Sequence, residues 1–275
     1  MLGWLPEDLR SDMRLYGRFV GARLRAQMQY RASFMMMMIV TGIGLSTELL
    51  AIVILLNRFG DLAGWSVGEV AMLYGLASVA FGLAEMVGAG FDSFPTMIRR
   101  GEFDQLLLRP ASVFTQVLSA DFQLRRLGRI SQGVVALLLA LSWTSVAWTP
   151  LKVLFLGVTL LSGAVMFMAL FVFGATLCFW TVESIEVINS VTDGGNVLSS
   201  YPLPIYHEIM QRFFTFVIPL AFVSYIPAVY LLDRPEANDW PPWLPLLSPL
   251  AALVLGLAAR VAWGVGVRHY RSTGS

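Results

Sequence analysis

Long apolar stretches alternate with polar segments along this chain, at 32–56, 69–91, 130–148, 151–180, 213–232 and 244–267. Each is close to or beyond the roughly 20 residues an α-helix needs to cross about 30 Å of hydrocarbon. The pattern predicts an all-α, polytopic integral membrane protein with six transmembrane helices. The fourth stretch is long enough to tilt or to project beyond the bilayer. The first is too long for a cleaved signal peptide and follows some thirty charged, amphipathic residues with no small-residue cleavage site. Those residues, 1–31, read as a separate interfacial helix. Leu9, Met13, Tyr16 and Val20 recur at helical spacing, with Arg10, Arg14, Arg18 and Arg25 opposite them. Arg23 falls on the apolar flank and fits neither face. The six-span domain is then 32–275, interrupted by a long polar segment at about 92–129.

Composition agrees with the pattern. Hydrophobic residues make up 57% of the 275 positions and charged residues 13%, against roughly 25% charged in soluble domains; the mean hydropathy is +0.69. That depletion excludes a nucleic-acid binder, a disordered scaffold and an ordinary cytosolic enzyme. The single cysteine, Cys178, excludes a disulfide framework and a cysteine-based zinc site, and two histidines leave little for metal chemistry. All basic residues except Lys152 are arginine, and their placement sets the orientation. The segments before the first span, between the second and third, before the fifth and around the end of the sixth carry all but Arg58, Lys152 and Arg234. The positive-inside rule therefore places both termini in the cytoplasm. The outer loops are short. Proline crowding at Pro235, Pro241, Pro242, Pro245 and Pro249 predicts a broken or re-entrant start to the sixth span, and Pro219 and Pro227 predict kinks in the fifth.

The 92–129 segment is far too long for a simple connection. Its centre reads Gly101-Glu102-Phe103-Asp104-Gln105-Leu106-Leu107-Leu108-Arg109-Pro110. Gly101 can break the helix before it and Pro110 can stop whatever precedes it. A short amphipathic helix lies between, with Phe103, Leu106 and Leu107 on one side and Glu102, Asp104 and Arg109 supplying charge. Such a helix suits docking into a groove of another protein or packing beneath its own bundle. The 181–212 segment carries Glu183, Glu186, Asp193 and Glu208 around Asp193-Gly194-Gly195-Asn196, and the glycine pair reads as a turn.

The run GEFDQLLLRP followed by Gln116 resembles a motif of the six-span bacterial ABC-2-type permeases. Tyr201-Pro202 and the Pro219…Tyr225-Ile226-Pro227 pattern are similar to that family as well. The resemblance implies a transmembrane subunit of an ATP-binding-cassette exporter in the bacterial cytoplasmic membrane. It would pair with a second copy or a homologous permease and couple to separate ATPase subunits that hold the ATP and magnesium. It also implies a coupling role for Glu102, Phe103, Asp104, Leu107 and Arg109, bounded by Gly101 and Pro110. The cargo does not follow from it.

No G-x-x-x-x-G-K-[ST] run exists, so this chain is not expected to cradle ATP itself. His207-Glu208 lacks a second histidine at position 211, no G-x-S-x-G elbow is present, and Cys178 reads as inert packing. Neither catalysis nor a metal site is expected. Glu48 and Glu85 fall inside spans, where a central charge costs about 2.5–3.5 kcal/mol on insertion scales. They are candidate pathway-lining residues or are neutralised by neighbours. Gly42, Gly44, Gly75, Gly82, Gly88 and Gly90 would allow close helix approach. The alternative function is a stand-alone proton-coupled carrier using Glu48 and Glu85 as relay groups, which leaves the long 92–129 segment unexplained.

Overall fold

The computed structural model describes residues 6–29, 31–181, 185–238, 241 and 243–270, and every regular element among them is helical. The helices are α1 (Pro6–Met28), α2 (Arg31–Phe59), α3 (Val67–Asp92), α4 (Phe94–Arg99), α5 (Glu102–Leu107) and α6 (Val113–Leu118). They continue with α7 (Leu127–Trp143), α8 (Pro150–Leu177), α9 (Ile185–Ser199), α10 (Glu208–Arg212), α11 (Tyr225–Leu231) and α12 (Ser248–His269).

The axis of the bundle is α3. Its residues are apolar on every side, and a helix without a polar face is stable only when surrounded. From Val70 to Gly82 every side chain is buried. Helices α2, α7, α8, α9 and α11 pack around it. At its start Glu69 reaches back to accept from the Ser66 backbone N–H (2.7 Å) and hydroxyl (2.9 Å), satisfying groups the first turn leaves unpaired. Helix α8 starts on Pro150, with the Thr149 hydroxyl accepting from the Lys152 N–H at 3.3 Å. By contrast α2 is mostly exposed, and Met36, Ile43 and Ile54 face outward where lipid or another chain must cover them.

Four of the six predicted spans coincide with helices long and apolar enough to cross a membrane, at Met35–Leu56, Val67–Arg99, Pro150–Leu177 and Pro245–His269. The third, expected at 130–148, is the 17-residue α7, which at 1.5 Å per residue is about 25 Å long. The fifth, expected at 213–232, is not one helix. Glu208–Val217 and Leu220–Leu231 meet at 78°. Residues Phe213–Val217 form a π-helical turn that ends at Pro219, which cannot donate to the preceding turn. Pro227 causes no kink, because it lies in the first turn of α11. The proline-rich approach to the last span does not break it either: a 3₁₀ turn at Pro245–Leu247 leads straight into α12. Counting the bent pair as one span gives at most five by length and apolarity among the described residues.

Contacts along α9 show how the bent pair sits. The predicted turn at Gly194-Gly195 is instead helical, inside α9. A Cβ on Gly195 would meet Leu220 at 2.7 Å, so the glycine permits close approach at the bend. One turn further along, the Ser224 hydroxyl donates to the Ser199 carbonyl. Helix α11 then rises to Asp233, which pairs with Lys152 in the first turn of α8. Arg234 follows, bonded to Glu69 at 2.8 Å in the first turn of α3. Leu220 is thus mid-bundle and Asp233 at the far end, and by Tyr201 the chain has already come within electrostatic reach of Glu48. The bend at Leu220 therefore lies inside the bundle, and the second half of the pair runs from it to the Asp233 end.

Candidate functional site

At the opposite end of α3 the chain turns twice. Helix α4 starts on Phe94-Pro95 and ends at Arg99, and Gly101 takes φ +67° to begin α5, a backbone region that side chains disfavour. Helix α5 ends at Leu107, with Arg109 and Pro110 just beyond it. Both boundaries predicted from sequence are present.

The short helix has two unlike faces. Phe103 is fully buried. Its ring packs edge-on against Phe94 (5.2 Å between centroids), Phe179 (5.5 Å) and Tyr270 (4.8 Å). Trp263 extends this cluster through Phe91, Phe94 and Phe179. Rings from α4, from the residues after α8 and from the end of α12 therefore meet on one side of α5. Asp104 is half-buried on the same side. Burial first, and then the Asp104 carboxylate beside it, raise the Tyr270 hydroxyl pKa above its ordinary value. Glu102, Leu107 and Arg109 are exposed, and so is Leu108, at 86%. Glu102 makes a 3.7 Å surface ion pair with Arg100.

Two glutamines fasten this region. Gln116, almost wholly buried on α6, donates to the carbonyls of Leu106 and Ala111, each at 3.0 Å, and so fixes the turn through Pro110. Gln27, near the end of α1, accepts from the Leu124 N–H at 3.1 Å and donates to the Phe122 carbonyl. The N-terminal helix is thereby tied to the end of the segment between α3 and α7. Its predicted faces are described only from Tyr16 onward, where Arg18, Arg23 and Arg25 are exposed and Tyr16 and Val20 half-buried. The side chains of Leu9, Arg10, Met13 and Arg14 lie outside the described residues, as do those of Glu183 and Glu186. Gly90 lets α6 sit against α3: a Cβ there would fall 1.8 Å from the Val117 carbonyl oxygen. Gly75 and Gly82 face α7 and Gly88 faces Met168 of α8, whereas Gly42 and Gly44 face open space.

The two intramembrane acids occupy separate places. Glu85 pairs with Arg126 at 2.9 Å and with Arg129 at 3.4 Å, and Arg129 also lies over the Phe81 ring. These groups line a cavity of about 220 Å³ together with Asp92, Thr192 and Asp193. Glu48 instead accepts from the Tyr74 hydroxyl at 3.2 Å, and Gln132 donates to the same tyrosine oxygen. No ion pair or hydrogen bond between Glu48 and Glu85 exists among the described residues. None of the partners of either acid belongs to α5. Among the described residues no group of His, Cys, Asp and Glu could hold a metal ion.

A helical bundle with an apolar axis and a short two-faced helix at one end agrees with what family comparison finds. The model of the ABC-2 family transporter proteins matches residues 43–274. The chain belongs to the ABC-2 transporter family. No curated protein and no solved structure matches it. As an ABC-2 membrane protein it is a permease component of ABC transport, and proteins of this class are transmembrane subunits that are generally not enzymes themselves. The match covers α3 to α12 and begins inside α2, so the N-terminal helix falls outside it. Sequence reasoning on this permease missed the aromatic ring cluster and Gln27; it offered neutralisation of Glu85 by a neighbour, which the structure shows, without naming Arg126 and Arg129. The pairing had one visible signal, two arginines following a buried-acid span; the cluster had none, because its rings are scattered over the chain.

Proposed function

We propose that this ABC-2 permease is half of an exporter's membrane pathway. It pairs with a second copy or a homologous permease and is driven by separate ATPase chains that bind ATP and magnesium. The observation that carries the coupling is the division of α5. Phe103 and Asp104 tie the helix to rings from α4, the end of α8 and the end of α12. Glu102, Leu107, Leu108 and Arg109 are left as an exposed surface of apolar and charged groups. A push on that surface reaches three membrane helices through a rigid aromatic contact, and Gln27 carries it to α1. Exposed leucines beside opposite charges suit a docking groove on a soluble partner.

In this reading the membrane is crossed six times, by α2, α3, α7, α8, α9 with the residues after it, and α12. The bent pair is a re-entrant loop. The order returns both termini to the side of α5, the arginine-rich side, which the positive-inside rule makes the cytoplasm of a bacterial inner membrane. Arg212 then lies outward, where it pairs with Glu208. Lys152 and Arg234, two of the three outward exceptions named from sequence, are held in ion pairs with Asp233, Glu69 and Glu236.

The coupling is tested by replacing Leu107 and Leu108 together with aspartate. Membrane insertion should be unchanged while the ATPase chain no longer co-purifies and transport stops. Normal co-purification and transport would show that α5 does not dock the ATPase.

A further inference from the structure

Glu48 and Glu85 sit in unlike surroundings. The Glu85 side chain is 11% exposed and held by Arg126 and Arg129, so its charge is spent inside the bundle. Glu48 is exposed on α2. The Tyr74 hydroxyl reaches one of its carboxylate oxygens at 3.2 Å, and among the described residues no cation pairs with it and no second hydrogen bond reaches it. The hydroxyls beside it are taken up by their own helix: Ser46 donates to the Gly42 carbonyl at 2.7 Å and Thr47 to the Gly44 carbonyl at 2.5 Å. Glu48 lies inside the Met35–Leu56 span, about 12 Å from its Leu56 end at 1.5 Å per residue. A glutamate side chain is too short to carry its charge from there to a membrane surface, and lipid tails offer no donor. Charged groups within spans face a protein interior or a water-filled cavity, and Glu48 is not in the interior.

We propose that Glu48 faces the water-filled pathway between the paired permeases and makes that pathway prefer positively charged cargo. This rests on the permease reading and adds the sign of what is carried. The flank of α2 around Glu48 has room for water: Gly44, one turn before it, faces open space, and Ala51, three residues after it, is exposed. Across from this flank Tyr201 comes within electrostatic reach of the carboxylate. A tight seam between two copies does not suit this flank. In a two-fold pair equivalent residues stand at equal depth, so packing the flank against itself would press two Glu48 carboxylates together. Like charges oppose that contact, whereas across a hydrated gap the same two carboxylates attract a passing cation and repel an anion.

The test places a cysteine on either side of Glu48 and measures its reaction with two thiol reagents of opposite charge. These are the trimethylammonium-ethyl and sulfonato-ethyl methanethiosulfonates, applied to native membrane vesicles made leaky by freezing and thawing. Wild type is the blank, because Cys178 is buried. Leu161→Cys, exposed at mid-span on α8, is the lipid-facing control and should not react. Gly44→Cys and Ala51→Cys should react with both reagents, the cationic one favoured. Adding Glu48→Gln should lower the ratio of cationic to anionic rate about tenfold through loss of a nearby charge, and adding Glu48→Asp should preserve it. Glutamine keeps an oxygen for the Tyr74 hydroxyl, and a loss of packing without a loss of charge would move both rates together. The proposal is overturned if both cysteines are as unreactive as Leu161→Cys, or if Glu48→Gln leaves the ratio unchanged. If either happens while a P-loop chain still co-purifies, the role of Glu48 falls and the exporter reading stands. If the cysteines react with the expected selectivity but no ATPase chain is recovered, it is the exporter reading that fails.

Discussion

Phe103 and Leu107 are four residues apart and look alike in sequence, but they do opposite things. Phe103 is sealed among rings from residues 94, 179 and 270, and Leu107 is left exposed. Removing the Phe103 ring should leave a cavity costing about 3–5 kcal/mol. Phe103→Ala is therefore expected to lower the melting temperature of the purified permease as well as its transport. Arg109→Glu should leave melting unchanged and reduce only ATPase recovery. A normal melting curve for Phe103→Ala would mean that the aromatic cluster does not anchor α5. The motif was legible from its glycine and proline boundaries, and both lie where expected. Which side of a six-residue helix faces inward was not, because the rings that bury Phe103 come from distant parts of the chain.

At the scale of elements, α6 and α9 test how glycine is used. An alanine at position 90 would place its Cβ 1.8 Å from a backbone oxygen that has no rotamer to escape into. Gly90→Ala should push α6 away and take with it the Gln116 bonds that hold the turn after α5. Accelerated protease cleavage near Pro110 would report this, and an unchanged cleavage pattern would contradict it. In α9, Gly194-Gly195 resembles a turn by composition, yet tertiary packing uses the second glycine as a seat for Leu220. That same contact hid the 78° bend within 208–231: hydropathy measures length and apolarity, and a bent pair of helices scores much as a straight span does. Met210 is exposed, and the native Cys178 is buried. In Met210→Cys, a membrane-impermeant thiol reagent should label intact cells. Labelling only after permeabilisation would place that segment in the cytoplasm and contradict the re-entrant arrangement.

Over the whole molecule, charge is sorted by end. One end gathers most of the arginines, α5 and the acid-lined cavity. At the other, Lys152 and Arg234 close the bundle by pairing with groups on neighbouring elements, and Arg234 also covers the Trp65 ring at 4.2 Å. Hydrogen bonding from Arg234 is the largest effect holding the Glu236 carboxyl below its ordinary pKa. With the folded value depressed, this contact stabilises above the unfolded carboxylate pKa, and its contribution is lost as pH falls through the folded value. Arg234→Ala should therefore lower the melting temperature at pH 7 and lose part of that difference under acid conditions. The fold class and the arginine asymmetry were legible in the sequence because apolar length and charge placement are properties of the linear chain, and the ABC-2 family because the GEFDQLLLRP run and the Tyr201-Pro202 and Pro219…Pro227 patterns resemble it. The division of α5 and the cavity around Glu85 were not, since both arise where distant helices meet. In the proposed coupling, ATP is spent on another chain and its work enters through α5. This coupling is met most directly by purifying this chain from native membranes in gentle detergent and identifying its companions by mass spectrometry. The expected companion is a stoichiometric P-loop ATPase that disappears when Leu107 and Leu108 are replaced by aspartate. A chain that purifies alone and still moves cargo in liposomes without ATP would contradict it.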